Sequence, residues 1–157
     1  SVVIVKGTTE NMDEVAQFAA SYSGAWRSGH FSADVYAADP SQVSKTPESG
    51  EYVSRGSFIV RGEREYFRDV PLAVAIGVQL SPELAVIGGP PSAVSGRARL
   101  FVTLKPGTFE PNDTAKKVLR ILRGQLGDEE LKGLKSVLNT EQVAAFVPPG
   151  GSDIVEP

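Results

Sequence analysis

Cysteine is absent from this 157-residue chain, and histidine occurs only once, as His30. Without cysteine there is no disulfide, no thiol nucleophile and no thiolate metal ligand, which agrees with a reducing compartment; we expect a cytoplasmic protein. A zinc site would need mostly carboxylates, and none show ligand spacing, so we expect no metal. The serine-hydrolase elbow, the Walker lysine loop and the dinucleotide glycine motif are also missing. Hydrolase chemistry therefore has no support in the sequence, and we expect no cofactor.

The chain also lacks an excess of positive charge and any long hydrophobic run. Its 16 Lys and Arg are outnumbered by 19 Asp and Glu, and the sequence pI is about 5.2. Such a balance excludes a protein that coats nucleic acid by bulk electrostatics and is compatible only with a local basic patch. Apolar runs such as Pro71–Val78 are far shorter than the roughly 20 residues that span a bilayer. We expect no contact with membranes.

The length and the 41% hydrophobic content are typical of one globular domain with a sizeable core. There is no internal repeat and no linker, so we expect a single domain over residues 1–157. The expected class is α+β, with a mainly antiparallel sheet, one long helix packed on a face and a C-terminal helical segment. Because the chain opens at Ser1 on a strand-like run without an initiator methionine or a leader, we expect it to be a piece of a longer protein.

The spacing of hydrophobic residues, and the glycines and prolines that interrupt it, predict the helices and strands. We expect an amphipathic helix from Asn11 to near Gly29, with Asn11 and Glu14 as a capping box. We expect a turn at Gly88–Pro91 and the end of regular structure at Pro148–Gly151. The predicted strands are Ser1–Lys6, Asp34–Ala38, Ser57–Val60, Leu72–Leu80, Ala85–Ile87 and, last, Arg99–Leu104. Helices are predicted to begin at Asp113 with a basic outer face, to run over Asp128–Leu138, and to reach Phe146 from a cap at Thr140.

The segment from Gln42 to Arg64 is the most informative part of the chain. It joins a polar, turn-rich loop to a short strand and sets cations (Lys45, Arg55, Arg61, Arg64) among aromatic residues (Tyr52, Phe58, Tyr66, Phe67). Single-stranded nucleic acids are bound by cations on the backbone and aromatic faces on the bases. The alternative is an ordinary edge strand, protected by its charges, whose aromatics belong to the core. Composition by itself favours the edge strand.

The motifs resemble the NFACT-R domain of the NFACT ribosome quality-control factors, in the archaeal or eukaryotic rather than the bacterial form. The resemblance is carried by Gln42–Pro47 (Gln-Val-Ser-Lys-Thr-Pro), Ser49–Val53 (Ser-Gly-Glu-Tyr-Val) and Arg55–Gly62 (Arg-Gly-Ser-Phe-Ile-Val-Arg-Gly). It extends through Glu14–Trp26, Gly88–Val94 and Pro148–Val155, and so covers nearly the whole chain. One departure is that Glu63 and Glu65 flank Arg64, where the family has a more basic turn.

The resemblance implies an RNA-binding module, not an enzyme, in a factor that engages the large ribosomal subunit and tRNA at stalled nascent chains. Implied partners are tRNA, large-subunit rRNA, the large ribosomal subunit and the N-terminal domain of the parent protein. The site residues it implies are Gln42, Lys45, Thr46, Arg55, Arg61, Arg64, Tyr52 and Tyr66, with most weight on the loop around Lys45. Two alternatives stay open. One is an interaction or scaffold domain that contacts its neighbours without binding RNA; the other is carboxylate catalysis at Glu63 and Glu65.

Overall fold

Antiparallel strands and short helices alternate along the chain in the computed structural model, which describes residues 2–7, 9–46 and 57–156. The described helices are α1 (Met12–Ser21), α2 (Gly24–Arg27), α3 (Pro91–Ser95), α4 (Pro111–Gly124), α5 (Asp128–Leu134) and α6 (Thr140–Ala144). The described strands are β1 (Ser32–Ala37), β2 (Val43–Ser44), β3 (Ile59–Val60), β4 (Glu65–Pro71), β5 (Val74–Gln79), β6 (Ala85–Gly89), β7 (Leu100–Phe109) and β8 (Ser152–Ile154). The predicted α+β class is confirmed.

The core is built around β5, the most completely buried strand described. It lies inside a four-stranded sheet of order β6-β5-β7-β8, and every pairing in that sheet is antiparallel. Val74, Ile76 and Val78 have no exposed surface, and the residues between them are buried as well. A run that is apolar at successive positions fits a strand covered on both faces. The strand predicted at Leu72–Leu80 is therefore present, with slightly narrower bounds.

Polar groups fasten α1 to the connection between β4 and β5. The buried Ser21 hydroxyl donates to the carbonyl of Ala73 at 3.1 Å and accepts from its N–H at 3.0 Å. The Gln17 side chain donates to the Pro71 carbonyl at 3.1 Å. Ala16 and Ala20 are buried on the same helix, and their small side chains let the backbone of α1 approach the strands closely. These contacts place the ribbon formed by β1 and β4 on α1.

The long helix predicted up to Gly29 is divided into α1 and α2. The Ser23 hydroxyl donates to the Ala20 carbonyl at 2.6 Å and accepts from the Ala25 N–H at 3.2 Å. Serine competes in this way for backbone groups and so favours helix ends over helix interiors. Asn11 precedes α1 as expected, but its side chain makes no capping bond, and Glu14 instead accepts from the Ser92 hydroxyl at 2.7 Å. The predicted capping box is therefore wrong.

The predicted buried strand at Ser1–Lys6 is also wrong for the residues that are described. Residues 2–6 form no strand, and the side chains of Val2 and Ile4 are 69% and 80% exposed. Strand preference reflects packing on a sheet more than an intrinsic backbone tendency, so a β-branched run forms a strand only beside a partner. No strand of the described part of the chain pairs with it.

Regular structure does not end at Pro148–Gly151, because β8 follows and pairs with β7. Gly151 permits this approach, since a Cβ there would overlap the Gly107 backbone. The strand predicted at Arg99–Leu104 is not the last strand, and it is longer than predicted. It continues through Pro106 to Phe109, with a register shift after Pro106 that a proline within a strand tolerates.

Three further boundaries differ from the sequence-based expectation. Gly88 and Gly89 belong to β6, and Pro91 opens α3, so Gly88–Pro91 is not a turn between strands. Gly88 is required by packing, because the Phe146 ring occupies the position of its missing Cβ. The N-terminal flanking residues of α4 and α6 are Glu110 and Asn139 rather than Asp113 and Thr140, and the Asn139 side chain accepts from the Gln142 N–H at 2.9 Å.

Trp26 joins the N-terminal helices to the C-terminal strand. Its indole N–H donates to the Gly151 carbonyl at 2.9 Å and lies 3.2 Å from the Ser152 hydroxyl, while only 1% of the residue is exposed. We predict that Trp26→Phe lowers the free energy of unfolding by about 1–3 kcal/mol, because it removes one of the two donors to that carbonyl, leaving only the Gly107 N–H at 3.0 Å, and leaves a gap in a buried site. Urea denaturation followed by far-UV circular dichroism measures the loss. Phe31→Leu, at a residue 69% exposed, is the control and is expected within about 0.5 kcal/mol of the parent.

Candidate nucleic-acid interface

The described parts of the segment from Gln42 to Arg64, residues 42–46 and 57–64, pair as the two arms of a hairpin, and the side chain of Gln42 holds these arms together. A 3₁₀ turn over Pro40–Gln42 leads into β2, which pairs with β3. The Gln42 amide donates to the carbonyls of Arg61, at 2.8 Å, and Glu63, at 2.6 Å, and accepts from the Asp39 N–H at 2.8 Å. Both amide hydrogens are therefore engaged within the protein, and the side chain fixes where the two ends of the loop emerge.

The base of the loop carries a cation above an aromatic ring. The Lys45 ammonium lies 5.1 Å from the centroid of the Phe58 ring, and both residues are exposed. Thr46 donates its N–H to the Ser44 hydroxyl at 3.0 Å, which turns the chain away from β2. Of the sequence-predicted site residues, Tyr52 and Arg55 lie outside the described residues.

A ladder of four side chains covers the exposed face of the ribbon formed by β1 and β4. Tyr36 and Tyr66 are opposite one another in the register, with ring centroids 6.0 Å apart. The Arg64 guanidinium lies 4.6 Å from the Tyr36 centroid, and that of Arg68 lies 4.3 Å from the Tyr66 centroid. We call these four residues the ribbon ladder. Its two rings are 44% and 49% exposed.

The opposite face of the ribbon explains why these aromatics point outward. Val35 and Phe67 alternate with the ladder residues and pack against the core together with the buried Val70. Side chains alternate between the two faces of a strand, so burial of one set leaves the other set in solvent. The ribbon is thus apolar toward α1 and rich in cations and aromatics toward solvent.

Local bonds hold both guanidiniums of the ladder in place. Arg64 donates to the Val60 carbonyl at 3.0 Å, and Arg68 donates to the Asp34 carboxylate at 3.0 Å. The same carboxylate accepts from the backbone N–H of Asp69, which has a positive φ of 50°. The Asp69 N–H, and after it the Arg68 guanidinium, lowers the pKa of Asp34. Asp34 is therefore ionised at neutral pH and keeps Arg68 over Tyr66.

The structure brings together part of the site that the sequence predicted. It also adds two residues that the sequence analysis missed. Arg64 and Tyr66 lie in the ladder, while Lys45, Thr46 and Gln42 lie in the hairpin beside it. Arg61 follows β3, and its N–H donates to the Gln42 carbonyl at 2.9 Å. The missed residues are Tyr36 and Arg68. Strict alternation over Ser32–Ala37 would have placed Tyr36 outward, but Arg68 belongs to β4, which was not predicted.

Glu63 and Glu65 do not form a catalytic pair. Both side chains are exposed, Glu63 before β4 and Glu65 at its first position. General acid–base catalysis by carboxylates depends on burial or close partners that shift the proton affinity of one of them. Both carboxylates stand in solvent instead.

The described residues contain no group of three or more His, Asp or Glu that could hold a metal ion. No helix in the described part of the chain is both long enough and apolar enough to cross a bilayer. A cleft in the described part of the chain is far from enclosed and lies between β7, α4 and β8, apart from the hairpin. The hairpin and the ribbon ladder therefore form an open surface suited to an extended ligand.

The comparisons with known proteins point to a class of nucleic-acid-binding modules. Residues 2–62 match the family model described as the NFACT protein RNA binding domain, a range that includes β1, β2 and β3 and ends before Arg64, Tyr66 and Arg68 of the ladder. The resemblance to the NFACT-R family is confirmed, and the chain is NFACT-R-like.

Over 148 residues the chain is 35% identical to the archaeal Rqc2 homolog aRqcH of Methanocaldococcus jannaschii. The match covers 94% of this chain and 20% of that protein, so the chain spans about a fifth of the length of this relative. No solved structure matches the chain.

We predict that Gln42→Glu loosens the hairpin, because a carboxylate cannot donate to the two carbonyls that the amide now satisfies. Amide hydrogen exchange at Arg61, whose N–H bonds to the Gln42 carbonyl, should lose protection equivalent to about 1–3 kcal/mol. Ser41→Ala, at the exposed neighbouring position, is the control and should leave the exchange rate unchanged. Unchanged protection in Gln42→Glu would show that the amide does not hold the two arms together.

We predict that the pKa of Asp34 lies below its ordinary value and rises part of the way back in Arg68→Gln, since the larger cause, the Asp69 N–H, remains. The stability that this carboxylate contributes is present above its unfolded-state pKa of about 3.9 and is lost as the pH falls through the lowered folded-state pKa. Carboxyl-carbon NMR titration measures both shifts. Arg97→Gln, at a cation away from the ribbon, should leave the Asp34 titration where it is.

Proposed function

We propose that this chain is an RNA-binding module of a ribosome-associated quality-control factor, and that the hairpin and the ribbon ladder are its RNA surface. On this proposal, the chain is a single NFACT-R-like domain of a longer protein that engages the large ribosomal subunit and tRNA at stalled nascent chains. It lies next to the N-terminal domain of that protein, and the chemistry belongs to the ribosome. The observation that carries the proposal is the ladder, in which two guanidiniums and two exposed rings form one array.

The ladder has the chemistry that unpaired RNA requires. Bases stack on aromatic faces and on the planes of arginine guanidiniums, and phosphates accept from the remaining N–H groups. Arg64 and Arg68 are each anchored by one hydrogen bond to the protein, so less side-chain freedom is lost when RNA binds. Pre-organisation of this kind distinguishes a binding surface from a set of solvated charges.

The charges around the ladder indicate that stacking contributes more than phosphate attraction. Lys45, Arg61, Arg64 and Arg68 are accompanied by four carboxylates, those of Asp34, Glu63, Glu65 and Asp69, and the whole chain carries a net charge of −3. Few phosphates can be neutralised, so the salt dependence of RNA binding should be shallow. The proposed site comprises Lys45, Thr46, Tyr52, Arg55, Arg61, Arg64 and Tyr66, extended by Tyr36 and Arg68. Gln42, expected from the sequence to contact RNA, has its amide bonded within the protein and instead holds the hairpin.

We predict that Tyr36→Leu/Tyr66→Leu weakens binding to single-stranded RNA by about 1–3 kcal/mol for each base that loses its ring. Fluorescence anisotropy with a labelled oligouridylate, and with tRNA and large-subunit rRNA, measures the affinity. Phe31→Leu/Phe101→Leu, which removes two exposed rings elsewhere, is the matched control and should bind as the parent does. Equal binding by both double variants would remove the ladder from the site, and absence of parent binding even at low salt would refute RNA recognition altogether.

We predict that Lys45→Gln/Arg64→Gln lowers the slope of log affinity against log salt by about 1.4, since each lost phosphate contact on a single strand removes about 0.7. Titrations at four salt concentrations give the slope. Lys132→Gln/Lys135→Gln makes the same change in net charge at two exposed positions, one in α5 and one just after it, and serves as the control. If both pairs changed the slope equally, only net charge would matter. If binding of the N-terminal domain fell instead, the hairpin would be a protein contact.

A further inference from the structure

A cleft of about 510 Å³ lies between the end of β7, the exposed side of α4 and β8. It shares no residue with the hairpin or the ribbon ladder. Its volume falls in the range of small-ligand sites, although it is an open groove rather than a cavity. The cleft is lined by Lys105, Thr108, Phe109, Lys117, Arg120, Ile121, Asp153, Ile154 and Glu156.

The cations that α4 places beside this cleft form no ion pair with a carboxylate of the described residues. Elsewhere in the described part, Arg68, Arg99 and Lys132 pair with carboxylates at 3.0–3.9 Å. By contrast, no ion pair is formed by the four cations of α4, which are Lys116, Lys117, Arg120 and Arg123. Positions 116, 120 and 123 are exposed and follow one another at single helical turns, so they form a row.

The fold uses only one cation of this row, since Arg123 donates to the Leu138 carbonyl at 3.2 Å. The buried side of α4 is made by Ala115, Val118, Leu119 and Leu122, which face the core. The nearby carboxylate of Asp153 is already occupied, because it accepts from the N–H and the hydroxyl of Thr108 at 3.0 and 3.1 Å and lies opposite Lys105 in the strand register. Lys116 and Arg120 are therefore available to an anionic ligand.

An aromatic ring in the cleft narrows the class of ligand. Phe109 is 41% exposed at the end of β7, and the Lys117 ammonium lies 4.2 Å from its ring centroid. An acidic peptide would use the cations but has no need of an exposed ring. A cationic row beside an aromatic face suits the phosphates and the base of an unpaired nucleotide. RNA is thus favoured over an acidic protein segment.

We infer that the cleft is a second RNA contact, in which Phe109 stacks on an unpaired base while Arg120, which lines the cleft, and Lys116, one helical turn away on the exposed side of α4, contact the flanking phosphates. This inference rests on the proposed function, but it concerns a separate surface. A chain with two such contacts would hold two stretches of RNA, or two parts of one strand, at the same time. The pairing of charge and ring repeats the chemistry of the ribbon ladder on different elements.

Ultraviolet crosslinking of the chain to oligouridylate, with mass spectrometry of the crosslinked peptides, tests the inference directly. We expect one crosslinked peptide that contains Phe109 and another that contains Tyr36 or Tyr66. Phe109→Leu should abolish the first crosslink and lower single-strand affinity about tenfold without changing the salt slope. Lys116→Gln/Arg120→Gln should lower the slope by about 1.4, with Lys132→Gln/Lys135→Gln as the control of equal charge.

The outcomes separate the two proposals. The second contact would be overturned if crosslinks were confined to Tyr36 and Tyr66 and the cleft variants changed neither RNA affinity nor the salt slope. The proposed function would then still stand. A crosslink at Phe109 alone would support the cleft and refute the ribbon ladder as the RNA surface, and no crosslink would refute both. Binding of oligoglutamate that depends on Lys116 and Arg120, without a crosslink at Phe109, would overturn the inference in favour of an acidic protein partner.

Discussion

The hydrogen bonds of the Trp26 indole hold the two ends of the described chain together, and the rest of the architecture depends on that closure. The indole N–H reaches Gly151 and Ser152, which are more than 120 residues away in sequence. Since β8 is a short strand at the edge of the sheet, it needs such a fixed point to stay beside β7. Burial of the indole also positions α2, and through it the start of β1.

A small number of contacts also positions the candidate RNA surface. Ser21 and Gln17 bind α1 to the turn before β5, and the ribbon rests its apolar side on that helix. The outward side of the ribbon is then left free to carry Tyr36, Tyr66 and two arginines. Gln42 anchors the hairpin beside them. Helix α1 supports the ribbon rigidly, and the anchored hairpin lies beside it. This arrangement is expected of a site that depends on side-chain placement rather than on net charge.

How far the sequence predicted the molecule differs between its parts for physical reasons. The periodicity of α4 and the apolar run of β5 are local signals, and both elements appear where they were expected. The run at Val2–Val5 carries an equally strong local signal, yet it forms no strand, because strands require a partner. Conversely, β8 has only three residues and too little pattern to be detected, and it exists because β7 lies beside it.

The candidate site likewise has features that the sequence predicted and features that it did not. The sequence by itself determined the α+β class, the resemblance to the NFACT-R family and the presence of cations among aromatics from Gln42 to Arg64, since these follow from composition and local order. Only the tertiary structure decided that Tyr36 faces Tyr66, that Arg68 completes the ladder and that the amide of Gln42 is bonded to the backbone. These are contacts between segments that lie 19 to 34 residues apart. Their register is set by antiparallel pairing and by burial of the opposite face, which no local pattern encodes.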